Sequence, residues 1–407
     1  MSIRPIQFPR AALPPLALYA HFPWCVRKCP YCDFNSYTLR GELPEERYIA
    51  ALAADLQTQV HSDYGRAARL AEREIVSIFL GGGTPSLFTP DAIGRFLEHA
   101  RRLLRLAPDA EVTLEANPGT VERGRFSGYR DAGVNRVSLG AQSFDARRLA
   151  VLGRIHTVGE TVRAAEELHA AGLTNFNLDL MYALPDQTPA EALADLRTAL
   201  ALQPAHLSHY HLTMEPGTPF AAHPPPLPAE DSVDEMLSLC TAELADAGFD
   251  HYEVSAYARA GHRCVHNTNY WQFGDYLGIG AGAHGKLSAP ANEIRRTTQL
   301  REPRKYLAAV PAARTEANVA PEQRPFEYML NALRLVEGFH DRDYEARTGL
   351  SLAALAPPLE RLRARGLLQR TADGWRTTET GLRFLNDVLM VFLPDNTKRV
   401  WPEYRLL

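Results

Sequence analysis

Between residues 16 and 212, short apolar runs of β-forming side chains alternate with stretches of helical periodicity. The runs at 16–21, 75–80, 112–116, 135–139, 176–180 and 206–212 have strand length and are rich in branched and aromatic residues. Between them, apolar positions return every three or four residues. Ile49, Leu52, Leu56 and Val60 do so after Pro44, and a later helix opens on the capping-box pair Thr157 and Glu160 and stops at Gly172. Strand–helix alternation of this kind predicts parallel strands joined by crossover helices. Six units are too few for a closed eight-fold barrel. The expected fold is therefore α/β, a partial (β/α)6 barrel over residues 1–215.

After Met214 the alternation stops. A Pro-rich segment (216–228) leads into a helix near 231–248, then a polar, aromatic and Gly-rich block at 251–285. Residues 286–325, rich in Ala, Pro and Arg, read as an irregular connector, so 216–320 is expected to be an extension of the barrel. The remainder, 321–407, changes character. Phe326, Met329, Leu330, Leu333 and Val336 mark an amphipathic helix, 359–366 a second, and 366–378 a hairpin turning at Asp373-Gly374. Helix, helix, hairpin, helix predicts a mostly helical, winged-helix-like C-terminal domain.

Composition narrows the function classes. The chain has 407 residues, 45% of them hydrophobic, and a formal net charge of −4, so nothing global attracts nucleic acid. From Ala320 onward 13 Lys/Arg face 12 Asp/Glu, which makes packing a better role than DNA binding for the C-terminal domain. No apolar run reaches the roughly 20 residues that span a bilayer, and Pro14 and Pro15 interrupt the one at 11–20. Arg4 and Arg10 in an acid-free N-terminus hint at a leader, but the cysteine motif follows too soon to leave room for one. A soluble cytoplasmic protein is expected.

Three of the five cysteines lie within eight residues, Cys25-x3-Cys29-x2-Cys32, directly after the first strand run. Thiolates are soft ligands for iron–sulfur clusters or zinc. Three of them satisfy three irons of a [4Fe–4S] cubane and leave the fourth iron open. A closed zinc site needs four ligands, and His21 is the available fourth. Cys240 and Cys264 stand apart and read as buried thiols. The run Gly81-Gly82-Gly83-Thr84 is neither a P-loop nor a GxGxxG fingerprint and reads locally as a tight turn. Glu115 and Asp179 end strand runs, Gln142 follows one, and Arg154 lies twelve residues on from it; such barrels collect functional residues at strand ends.

The segments YAHFPWCVRKCPYCDF, FLGGGTPS, LEANP, LGAQSFD, LDLMYALPDQT and HNTNYW together resemble the radical S-adenosylmethionine (SAM) superfamily. Within it the chain is similar to the oxygen-independent coproporphyrinogen III oxidase group and its heme-chaperone relatives, the HemW branch. The resemblance implies a [4Fe–4S] cluster on Cys25, Cys29 and Cys32, with SAM chelating the open iron through its amino and carboxylate groups. It implies SAM contacts at Gly82, Gly83, Thr84 and Glu115, and at Tyr19 and Tyr31. Gln142, Arg154 and Asp179 match positions that touch a second SAM in the oxidase. The oxidase carries a further cysteine two residues after the third; this chain has Phe34 there. That departure and the HNTNYW segment imply a chaperone that binds heme and delivers it to an acceptor protein. The alternative is an oxidase removing two propionate carboxylates from coproporphyrinogen III. His266 is the candidate heme ligand, with Cys264 and His284 behind it, and the segment around it is expected to cover the barrel mouth. A zinc-stabilised regulatory protein is the non-redox alternative.

Overall fold

A computed structural model describes residues 13–119, 124–311 and 314–394; Arg4 and Arg10 lie outside them. Six strands form where the pattern puts them: β1 (Leu16–Phe22), β2 (Glu74–Gly82), β3 (Arg105–Ala116), β4 (Arg136–Gln142), β5 (Phe176–Tyr182) and β6 (His206–His211). They lie side by side in chain order and all pairings are parallel. Alternate residues point to opposite faces. Leu18, Ile78, Leu114, Leu139, Leu178 and Leu207 join one continuous apolar core beneath the outer helices. The opposite face is polar, carrying Tyr19, Ser77, Glu115, Ser138, Asn177 and Asp179. An apolar outer face and a chemically equipped inner face make this an open barrel with a working lumen.

Of the crossover helices α1 (Glu45–His61), α2 (Pro90–Leu103), α3 (Val158–Ala170) and α4 (Pro189–Ala201), the last three each start on a threonine whose hydroxyl accepts a backbone N–H of the first turn. Thr157 and Glu160 form the reciprocal capping box expected for α3, and Thr188 and Glu191 repeat it on α4. Each such cap satisfies two backbone N–H groups that a helix start otherwise leaves unpaired. After β6 comes α5 (Glu230–Asp246).

The connector expected at 286–325 is instead sheet. Strands β7 (Asp250–Glu253) and β8 (Ala256–Ala258) extend the edge beyond β6. They are followed by a short helix, α6 (Val265–Trp271), and by β9 (Asp275–Ile279), which pairs parallel with β1. Strands β10 (His284–Ala289), β11 (Glu293–Gln299) and β12 (Arg314–Asn318) then continue antiparallel, completing a twelve-stranded sheet. Buried charge hid these strands. Asp275, fully enclosed, accepts from Lys286 Nζ, Arg73 Nη2, and the Ser288 N–H and hydroxyl, each at 2.9 Å. Such residues look like surface until their partners are known.

The C-terminal unit packs α7 (Arg324–Ala332), α8 (Asp341–Thr348) and α9 (Ala356–Ala364) around a small sheet of β13 (Phe339–His340), β14 (Leu368–Arg370) and β15 (Gly374–Thr377). The β14–β15 hairpin turns at Asp373-Gly374. Tyr328, Met329, Leu359, Leu362, Trp375 and Val388 fill its core. Among the described residues no helix is long and apolar enough to cross a membrane.

Candidate functional site

The cysteine loop leaves β1 at the C-terminal end of the barrel. Residues Trp24–Cys25 pair with Tyr37–Thr38, closing the loop at its base. Inside it the Cys32 N–H donates to the Cys29 carbonyl at 3.2 Å, and Lys28 Nζ donates to the carbonyls of Phe34 (2.8 Å) and Ser36 (3.1 Å). All three thiols are partly exposed and free. Arg154 Nη1 lies 3.6 Å from Cys29 Sγ, and the Ser36 hydroxyl 3.8 Å from Cys32 Sγ. Burial pushes the Cys25 and Cys32 thiols up, against hydrogen bonds from Thr84 and Ser36 at Cys25 and from the Phe34 backbone and Ser36 at Cys32. Three thiols beside a guanidinium and hydroxyl donors suit an anionic cluster of iron and sulfide.

A closed zinc site would need a fourth ligand beside the three cysteines, whereas a cubane takes one cysteine per iron. His21, the fourth zinc ligand considered, is spent elsewhere: Nδ1 bonds the Tyr19 hydroxyl and Nε2 the Asn35 carbonyl, both at 2.9 Å.

Beside the loop, the glycine turn at the end of β2 presses against β1. Gly82 has φ +111°, and a Cβ there would stand 2.3 Å from the His21 ring, so only glycine fits. Its N–H donates to Glu115 Oε2 at 2.9 Å. Burial raises the Glu115 carboxyl to about 7, against that hydrogen bond and with help from the negative charge of Asp179. Gly83 and Thr84 donate their N–H groups to the carbonyls of Phe22 (2.7 Å) and Trp24 (2.8 Å). Asn117 then ties the turn to the cysteine loop through Arg154: Nδ2 donates to Thr84 Oγ1 at 2.9 Å, and its Oδ1 accepts from Arg154 Nη2 at 2.5 Å. Arg154 also donates to the Gly140 carbonyl at 2.8 Å. Asn117 was legible only as a letter of LEANP; its bridging role depends on contacts from two distant segments, the glycine turn and the turn after a short helix at Ala146–Val151.

In the other half of the barrel, Gln142 closes β4 with φ +68°, a left-handed conformation that a non-glycine residue adopts only where its surroundings hold it. Its Oε1 accepts from the Tyr210 hydroxyl at 2.6 Å. Asp179 accepts from Asn177 Nδ2 at 2.8 Å and Ser138 Oγ at 3.4 Å, and burial raises its carboxyl. Tyr31 leans on Phe220 with ring centroids 6.3 Å apart.

A cavity of about 620 Å³ opens next to the cysteine loop. Tyr19, Gly82 and Glu115 line it together with His21 and Tyr270; Asp33, Phe34, Asn35, Gly282, His284, Thr298 and Arg301 form the rest of its wall. Tyr31, Gly83, Thr84, Gln142, Arg154 and Asp179 lie outside this lining, connected to it through the Thr84–Asn117–Arg154 chain and the neighbouring strand ends.

The HNTNYW segment does not cover the mouth. It forms α6, which plugs the lumen from below: the Val265 and His266 N–H groups donate to Glu111 at 2.9 and 3.1 Å. Glu111 lies four residues before Glu115 on the same strand, about 13 Å deeper. His266 is 3% exposed, its Nδ1 is 3.0 Å from Ser77 Oγ, and burial followed by the Arg136 charge lowers its proton affinity to about 3. The helix reaches the cavity through Tyr270, not His266. Cys264 is fully buried against Glu111. His284 is exposed on the cavity wall.

Comparison with known proteins places the chain in a family. The radical SAM superfamily matches residues 19–199 and the HemN C-terminal domain residues 319–384. The heme chaperone HemW of Escherichia coli strain K12 is 48% identical over 94% of this chain and 99% of its own length. HemW of Haemophilus influenzae is 46% identical over the same shares. The mouse mitochondrial radical S-adenosyl methionine domain-containing protein 1 is 34% identical over 95% of this chain and 89% of its own. Among solved structures, the E. coli coproporphyrinogen III oxidase HemN superposes with a TM-score of 0.76 at 22% identity, covering 93% and 90% of the two chains, a likeness of fold. The chain belongs to the HemW family of the radical SAM superfamily.

Proposed function

We propose that this protein is a heme chaperone of the cytoplasm that carries a [4Fe–4S] cluster on Cys25, Cys29 and Cys32 and binds SAM at the open iron. The observation that carries the reading is the 48% identity to a HemW along nearly the whole chain, together with Phe34 where the oxidase has its extra cysteine. Bound there, the cluster supplies a one-electron reductant and a vacant coordination position. The chain's own residues do the rest. Glu115 and the Gly82 backbone hold the inner cavity, with Tyr19 alongside. Gly83 and Thr84 fix the turn against β1, and Tyr31 closes the loop side. Arg154, held by Asn117, keeps positive charge on Cys29. Gln142, Arg154 and Asp179 make the shelf on which a second SAM would rest. Heme is the cargo, and a heme-free acceptor protein receives it. Heme ligation by His266 requires α6 to withdraw from the lumen, since the side chain is enclosed in its present position.

The test is transfer. Reconstituted anaerobically and loaded with heme, the protein should pass heme to a heme-free globin, read as the globin's Soret band, faster than free heme is captured from a non-specific carrier such as albumin. Failure to take up heme, or uptake without release, contradicts the proposal.

A further inference from the structure

The cavity wall contains two histidines, and only one of them has a nitrogen to spare. Both ring nitrogens of His21 are occupied. His284 stands at the start of β10, directly across the ladder from Thr298, whose hydroxyl lies 3.3 Å from Nδ1. Its Nε2 has no protein partner among the described residues. Burial, then the positive charges of Arg296 and Arg301, depress its proton affinity, which keeps the ring neutral.

Two further side chains complete a surface around this imidazole. Phe34 is 59% exposed, a large apolar ring displayed to solvent on the loop that follows the third cysteine. Arg301 is exposed and makes no ion pair among the described residues; only its Nε approaches Asn35 Oδ1, at 3.4 Å. Asn35 holds the group together. Its Nδ2 donates to the carbonyls of Ala281 and Arg301, both at 2.9 Å, tying the cysteine loop to the segments flanking β10 and β11. A free neutral imidazole, an exposed aromatic face and an unpaired guanidinium thus share one wall of a 620 Å³ cavity.

We propose that this wall is the heme site: His284 Nε2 ligates the iron, Phe34 lies against the porphyrin face, and Arg301 pairs with a propionate. The proposal rests on the heme-chaperone reading and locates its cargo. Ligation donates the Nε2 lone pair to the iron in place of a bound water; the Nδ1 proton stays on the ring, shared with Thr298 Oγ1, and no electron moves. A porphyrin iron complex is an apolar plate with a Lewis-acidic centre and two carboxylates on one edge, and each of the three residues answers one of those features. Phe34 thereby acquires a task at the position where the oxidase holds a cysteine.

The experiment is an anaerobic hemin titration of the reconstituted full-length protein as wild type, His284→Ala, His266→Ala and Arg301→Ala. His284→Ala should weaken hemin binding tenfold or more and shift the Soret band, and added free imidazole should restore the wild-type band. Wild type should prefer hemin over hemin dimethyl ester, and Arg301→Ala should lose that preference while still binding. A wild-type Soret band and affinity in His284→Ala overturns the proposal, as does a Soret shift caused by His266→Ala alone. Absence of hemin binding by the wild type refutes the chaperone reading itself, and the heme site with it.

Discussion

Glu115 carries the most informative titration in the site. Its carboxyl sits near 7 in the folded chain against an ordinary 4.5, mainly through burial. A raised acid keeps its proton longer in the folded state than in the unfolded one. Stability of the cluster-free chain is therefore complete below about 4.5 and falls as pH rises through 7, by at most about 3 kcal/mol. Glu115→Gln retains an acceptor for the Gly82 N–H and removes the titration. Urea unfolding at pH 5 and pH 8 should show a smaller loss in the variant than in wild type; equal losses contradict the burial. Cys25, Cys29 and Cys32 are a second residue-scale case. Replacing all three with Ala should abolish the visible chromophore after anaerobic reconstitution, while replacing Cys240 and Cys264 should leave iron and sulfide content unchanged. At this scale the sequence was most readable where chemistry is local, as in a three-cysteine loop. Asn117 escaped because its two partners, Thr84 and Arg154, come from distant segments; His284 was legible as a candidate ligand, but its exposure on the cavity wall is a property of the finished sheet.

The element most misjudged in sequence is α6. A segment with His, two Asn, Tyr and Trp suggested a polar cap over the mouth, yet it fills the far end of the lumen. Its burial depends on Glu111, which serves the helix start, and on Arg136, 3.8 Å from Glu111 and 2% exposed. Neither residue is near α6 in the chain, so no local pattern announces the contact. Removing one member of a buried charged pair leaves the other uncompensated. Glu111→Ala should destabilise the chain by about 3–5 kcal/mol, measured as a lower urea midpoint, with Glu111→Gln costing less because it still accepts from the α6 backbone. A change below 1 kcal/mol in Glu111→Ala would show that α6 is held by its side-chain packing instead. The capped crossover helices were legible for the opposite reason: a Thr-x-x-Glu box and an apolar stripe are both written within one helix.

Across the whole molecule, the six parallel strands were readable because each buries an apolar face, and the β9–β12 side of the twelve-stranded sheet was not, because it is held by the buried charges of Asp275, Lys286 and Arg73. Those edge strands matter to function. Strands β10 and β11 supply His284 and Thr298 to the wall of the cavity that opens beside the cysteine loop. In the proposed reading, cargo and cluster meet at one mouth through residues more than two hundred positions apart. The fold alone is shared with an oxidase, so the decisive measurement places the two activities side by side. One anaerobically reconstituted preparation is given heme in one vessel, and coproporphyrinogen III with SAM and a reductant in another. The account predicts saturable heme binding and no decarboxylated product; protoporphyrinogen formed at enzymatic rates, with heme left unbound, would contradict it.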